Sequence, residues 1–153
     1  LNESKYHQGK FTPRNPEKYI GDIKNIIYRS SWEFHFLSYC DKNKNVVRYS
    51  SEEIVIPYVS PRDNKVHRYF PDFYVELITD SGIRKMIIEI KPDSQTRPPR
   101  NRKCKTKKQS VRLLEDHMTF EVNRAKWAAA KEFCDKQNIE FRVLTEKELF
   151  NKP

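Results

Sequence analysis

Six consecutive residues, Met86-Ile87-Ile88-Glu89-Ile90-Lys91, constrain this chain more than any others. A run this apolar reads as a central strand covered on both faces, yet it carries a carboxylate and an ammonium. Strand alternation puts Glu89 and Lys91 on one face and Met86, Ile88 and Ile90 on the other. An ordinary exposed ion pair would explain Glu89 and Lys91 cheaply. A buried one costs roughly several kcal/mol per ion and calls for a function. The preceding strand candidate, Tyr69 to Ile78, contains Phe70-Pro71-Asp72-Phe73, and Asp80-Ser81-Gly82 between the two runs is a hairpin signal. Pairing through that hairpin brings Asp72 beside Glu89 and Lys91.

The remainder of the chain supplies layers for such a sheet. Residues 1–20 show no stable period and are expected to form an N-terminal arm, with residues 21–153 as a single domain. The spacing of Ile23, Ile26, Ile27, Ser30, Phe34 and Leu37 predicts a helix from Asp22, as N-cap, to about Tyr39. A further strand is expected at Val46 to Tyr49 or, more firmly, at Glu53 to Tyr58. Prolines and cations from 93 to 115 predict a long basic loop. A second helix follows from about Thr119 to Gln137, with Asn138 in its C′ position. Ile139 to Leu144 reads as a strand, and Thr145-Glu146-Lys147-Glu148 as a capping box opening a short helix. The expected class is α/β (α+β): helix, three-strand meander, helix, strand.

Two carboxylates and an ammonium on adjoining strands suit Mg²⁺, which binds through one or two carboxylates and leaves positions for water and a substrate phosphate. Lys91 would then position or deprotonate a water, or offset charge in the transition state. Glu33 lies on the apolar stripe of the first helix, where it is either a third acidic group for the metal or the partner of Arg29 in a buried pair. Glu53 could reach the same site, although a solvated strand start is the plainer reading of Glu52 and Glu53. His35, His67 and His117 lack zinc-ligand spacing, and Trp32, Phe34 and Phe36 read as core.

Net charge is +9, which implies a polyanionic partner. Arg97, Arg100, Arg102, Lys103, Lys105, Lys107, Lys108 and Arg112 hold nearly all of it, with no acidic residue from 97 to 112. Either a solvated linker or a DNA-binding segment would look like this. Its position directly after Lys91 favours DNA, and Asn123 with Lys126, sharing a face of the second helix, could add phosphate contacts. No apolar run approaches the length of a membrane span, and no export leader is visible. Three cysteines, at 40, 104 and 134, form no zinc or disulfide pattern and are expected to be reduced thiols.

Pro71-Asp72, then Glu89-Ile90-Lys91, with Glu33 on the preceding helix, resembles the signature of the PD-(D/E)xK nuclease superfamily with its restriction-endonuclease-like core. Tyr28-Arg29-Ser30-Ser31-Trp32-Glu33, Ser51 to Tyr58 and His67 to Phe73 are similar to the head completion nucleases of T-even-like tailed phages, a likeness extending from about Gly9 to Phe150. Endonuclease subunits of certain cut-and-paste transposons carry related wording. The resemblance implies an Mg²⁺-dependent (Mn²⁺ is an alternative ion) endodeoxyribonuclease of phage head completion, acting in the host cytoplasm or at the virion neck and meeting portal or neck proteins. It implies that Asp72, Glu89 and the Ile90 carbonyl bind metal, that Lys91 is the catalytic lysine and that Glu33 is the helix carboxylate. Two alternatives stand beside it: a structural head or neck protein that binds DNA or portal without cutting, and a transposase-type endonuclease subunit.

Overall fold

The computed structural model describes residues 8–150. Its elements are β1 (Gly9–Lys10), β2 (Ile27–Tyr28), α1 (Ser31–Lys42), β3 (Val46–Ser51), β4 (Ile56–Val59), β5 (Val66–Tyr69), β6 (Phe73–Thr79), β7 (Gly82–Ile90), α2 (Lys107–Lys136), β8 (Glu140–Leu144) and α3 (Glu146–Phe150). The class is mixed α/β. A four-stranded sheet runs β3-β6-β7-β8, antiparallel except for the parallel β7–β8 pair. The Asp80-Ser81 turn closes the β6–β7 hairpin, with Thr79 opposite Gly82. Gly82 takes φ 112°, which disfavours any side chain.

Each face of β7 meets a different layer. Met86, Ile88 and Ile90 pack with Phe73, Val75, Phe36, Leu37 and Cys40 beneath α1. Ile87 packs with Ile56, Tyr69, Ala130 and Cys134 beneath α2 and the β4–β5 ribbon. The central strand is thus buried on both faces from Met86 to Ile90, as its composition requires. Residues 8–20 lie along the first layer: Phe11 and Tyr19 belong to its core, and β1 pairs with β2. Asp41, 2% exposed, accepts from the Arg14 and Asn15 backbone N–H groups and from the Tyr49 hydroxyl, so this buried carboxylate ties the N-terminal segment to α1.

Four expectations are corrected. Asp22 does cap a helical turn, accepting the Lys24 N–H, but that turn is only the 3-10 turn Ile23–Asn25; the first α-helix starts at Ser31, because Ser30 caps it by accepting the Glu33 N–H and the Ile26-Ile27-Tyr28 run is drawn into strand pairing. Ile23, on that 3-10 turn, and Ile27 consequently lie outside α1 and are exposed. The strand joining the main sheet is Val46–Ser51; Ile56–Val59 instead forms a separate ribbon with Val66–Tyr69. The run from Tyr69 to Ile78 breaks at Pro71, which has no N–H to donate, so β5 and β6 belong to different sheets. Finally, α2 begins at Lys107, capped by Thr106, which accepts the Gln109 N–H while Gln109 accepts the Lys105 N–H. The basic loop therefore ends at Thr106, and Lys107, Lys108 and Arg112 sit on the first turns of a 30-residue helix. At its other end Asn138 adopts φ 55° and the Ile139 N–H returns to the Cys134 carbonyl, the left-handed C′ geometry expected there. Thr145 and Glu148 close the capping box of α3.

Candidate active site

Asp72 sits on the bend between β5 and β6, one residue before the Phe73–Ile88 pair, on the same sheet face as Glu89. Its Oδ2 accepts the Ile90 N–H at 2.8 Å, and its carbonyl accepts the Glu52 N–H at 3.0 Å. Glu89, 5% exposed, accepts the Tyr69 hydroxyl at 2.7 Å on Oε2 and lies 3.3 Å from Lys91 Nζ through Oε1. Three charged side chains predicted from the strands are therefore brought together, with Tyr69 as a fourth member. Burial, then the Glu89 charge, pushes the Asp72 carboxyl well above its ordinary range, against the opposing pull of the Ile90 N–H and Lys91. Burial and the adjoining Glu89 likewise drive the Tyr69 hydroxyl up, so it stays protonated and donating.

Asp41 and Asp72 are instructive together. Asp41 holds three donors on its two oxygens, whereas Asp72 has a single donor among the described residues. Asp72 is half-buried, and its second oxygen, with no donor among the described residues, is left open beside the buried Glu89 carboxylate, an arrangement that an added cation would relieve. The donor chemistry, hard oxygens only, fits Mg²⁺ or Mn²⁺. No three His, Cys, Asp or Glu side chains among the described residues converge as a complete metal cage. Any metal here would therefore lean on the Asp72–Glu89 pair, on backbone such as the Ile90 carbonyl, and on water.

Glu33 stands one step away. Its Oε2 accepts the Arg29 backbone N–H at 2.8 Å, and the Arg29 guanidinium pairs with Glu52 rather than with Glu33. The expected Arg29–Glu33 side-chain pair is thus replaced by a capping interaction. Burial raises the Glu33 carboxyl above its usual range, and its charge contributes to the rise at Asp72. Glu53 turns away from the cluster, accepting the Asp22 N–H beside Gly21, where a Cβ would stand 2.4 Å from Oε1. Among the aromatics, Phe36 is buried, Trp32 packs edge-on against Phe150, and Phe34, 45% exposed, lies between Phe11 and Tyr28 instead of in the core. His35 stacks near Phe150 and His67 contacts Asp63.

The cations after Lys91 form two groups. Arg97 pairs with Asp93 at 2.5 Å and Arg102 with Asp116 at 3.0 Å. Arg100, Lys103, Lys105, Lys107, Lys108 and Arg112 have no ion pair among the described residues and are open to solvent. A hollow of about 260 Å³ between this segment and α2, bordered by Ser94, Gln95, Arg97 and Asn123, begins three residues beyond Lys91. A second open hollow, about 420 Å³, lies under α1 and α3 on the other side of the sheet. It is lined by Tyr39, Leu77 and Met86 and is remote from the carboxylates.

Sequence reasoning missed Tyr69 and the Arg29–Glu52 pair. Period-2 alternation could not place Tyr69 beside Glu89, because Pro71 interrupts the strand between Tyr69 and Asp72 and resets the register.

Residues 43–146 match the family model described as the TnsA-like endonuclease N-terminal domain. The chain is 40% identical over 140 residues to the head completion nuclease of Enterobacteria phage T4, covering 92% of this chain and 91% of that protein. No solved structure matches it.

Proposed function

The chain belongs to the TnsA-like endonuclease family and is a relative of the phage T4 head completion nuclease; from that premise we propose that it is a divalent-metal-dependent DNA endonuclease of phage head completion. The observation that carries the reading is the Asp72–Glu89 pair flanked by Lys91, in which Glu89 is buried and the half-buried Asp72 carboxylate accepts one hydrogen bond only among the described residues. Asp72 and Glu89, with the Ile90 carbonyl, would hold Mg²⁺ or Mn²⁺. When bound, such an ion supplies positive charge for the phosphate and a more acidic water. Tyr69 fixes the Glu89 carboxylate by donating to Oε2. Lys91, 28% exposed at its side chain, can swing its ammonium from Glu89 Oε1 toward an incoming phosphate oxygen or an attacking water. Glu33, held by the Arg29 N–H, adds negative charge that favours cation binding at the site.

DNA is the substrate this chemistry calls for. The unpaired cations Arg100, Lys103, Lys105, Lys107, Lys108 and Arg112, with Arg97 and Arg102 beside them, would contact its phosphates and hold the duplex next to Lys91. Portal and neck proteins are proposed as the assembly partners, and the host cell during head assembly as the setting. None of the described helices is long and apolar enough to cross a membrane. A head protein that only bound DNA would gain nothing from placing the half-buried Asp72 carboxylate, with its single donor among the described residues, beside the buried Glu89.

The test is cleavage of supercoiled and linear DNA with Mg²⁺, with Mn²⁺ and in chelator. Wild type should cut only with metal, and folded Asp72→Ala and Lys91→Ala should not cut. Equal cleavage in excess chelator would remove the metal from the mechanism.

A further inference from the structure

Lys126 belongs to α2, a different layer from the strands that carry the carboxylates, yet it faces them. Its Nζ lies 5.6 Å from the centroid of the Tyr69 ring and 5.8 Å from that of Tyr58. Tyr69 is the residue whose hydroxyl holds Glu89, so the ammonium sits across one ring from the metal-binding carboxylate. Lys126 feels the charges of Lys91, Glu89 and Asp72, but makes no hydrogen bond or ion pair among the described residues. Its helix neighbours one turn away, Val122, Asn123, Ala129 and Ala130, offer no acidic partner, unlike those of Lys131 and Lys136, which pair with Asp135 and Glu132. Lys126 instead lies half-buried against two aromatic faces.

The charge balance of the site gives this placement a meaning. Asp72, Glu89 and Glu33 set against Lys91 leave an excess of negative charge that one divalent cation only just cancels. A phosphodiester entering that neutral site would bring an uncompensated anion into a poorly solvated cleft. With Lys126 included, the site carrying its metal has one positive charge to spare, matching one phosphodiester. The nearby hollow is bordered by Asn123, one helical turn before Lys126, and by Ser94, three residues after Lys91, although neither ammonium itself lines it.

Resting on the nuclease reading above, we infer that Lys126 is a second catalytic lysine, which contacts the scissile phosphate from the α2 side while Lys91 contacts it from the sheet. An ammonium oriented by the two tyrosine rings stabilises the additional negative charge on the phosphate oxygens as the bond to the leaving oxygen breaks. A purely structural Lys126 would act as a counter-ion to the carboxylates. The two roles differ in what its removal does to turnover once the metal site is saturated.

The experiment compares wild type, Lys126→Met and Lys126→Gln in three measurements: thermal unfolding, Mn²⁺ affinity by electron paramagnetic resonance without DNA, and cleavage at saturating Mn²⁺ with DNA varied. The assignment predicts an intact fold, Mn²⁺ affinity unchanged or tighter, and kcat lower by about 10²-fold with KM changed much less, the scale of losing one oriented donor. A variant with tighter Mn²⁺ binding and wild-type kcat would make Lys126 a counter-ion and overturn the assignment. Should Lys126→Met fail to fold, the polar Lys126→Gln decides on the same two criteria. Wild type inert toward DNA with every metal would overturn the nuclease reading and this assignment together, whereas active wild type with equally active variants overturns the assignment alone.

Discussion

Replacing Tyr69 by Phe deletes one oxygen and leaves the ring, 3% exposed, packed where it was. The interaction removed is a 2.7 Å hydrogen bond to a carboxylate that is itself 5% exposed. Bonds to charged groups are worth about 1.5–3 kcal/mol. Lys91 remains 3.3 Å from the other Glu89 oxygen, so the lower part of that range applies, roughly 1.5–2 kcal/mol. For a chain of this size such a loss lowers the unfolding midpoint by about 3–8 °C. The same change frees Glu89 to rotate, and removing a partner that orients a metal ligand typically weakens metal affinity by about 10–100-fold. The assays are urea melts in chelator followed by Mn²⁺ titration of wild type and Tyr69→Phe. A stability difference under about 0.5 kcal/mol, the level of an inconsequential surface change, together with unchanged Mn²⁺ affinity would show that Tyr69 does not hold Glu89.

Glu33→Gln should keep the capping acceptor for the Arg29 N–H, and therefore the fold, while weakening metal-dependent cutting; equal cutting across a metal titration would restrict Glu33 to capping α1. Asp72 has a folded-state pKa raised above its ordinary 3.8, so its ionisation opposes folding as pH rises through that raised value and has no effect on stability below 3.8, where both states are protonated. In chelator, the stability advantage of Asp72→Asn over wild type should accordingly grow from acid to neutral pH, and a pH-independent difference would contradict the burial argument. Changing Arg100, Lys103, Lys105 and Lys108 together to Gln should flatten the plot of log DNA affinity against log salt by about 0.9 for each duplex phosphate no longer neutralised, leaving Mn²⁺ binding intact; overlapping lines would make the segment a solvated linker. Asn138→Ala should destabilise the C-terminal end of α2 by about 1 kcal/mol in thermal melts, and Asn138→Gly should not, because only the former is strained at φ 55°.

How legible all this was depended on how much each residue's neighbours in sequence decide its place. The Asp72, Glu89 and Lys91 cluster was readable because a two-residue hairpin turn fixes the register of β6 and β7 over their full length, and alternation then assigns every side chain to a face. Asn138 and Thr145 were readable because caps are local. The start of α1 was misplaced because Ile23, Ile26 and Ile27 mimic a helical stripe, while the strand that captures Ile27 comes from Gly9–Lys10, far away in sequence. The first turns of α2 were missed for a different reason: from Lys107 to Glu115 the helix is polar or exposed nearly all round, with Val111 57% and Leu114 71% exposed, so no apolar stripe announces it. Only its cap and the absence of Gly and Pro could have done so. The β4–β5 ribbon escaped because its two strands are four residues each and joined by a turn around Asn64, with φ 55°. Tyr69 and Lys126 reach the carboxylates only through tertiary packing of the ribbon and α2 on the sheet.

Whether Asp72 and Glu89 together hold a divalent cation can be decided with crystals of the metal-free protein soaked in Mn²⁺ and measured for anomalous scattering. A peak is expected between the Asp72 and Glu89 carboxylates, within coordination distance of the Ile90 carbonyl and absent from crystals of Asp72→Asn. Crystals that take up Mn²⁺ elsewhere, or show no peak between those two carboxylates at saturating Mn²⁺, would contradict a metal centre built on this pair.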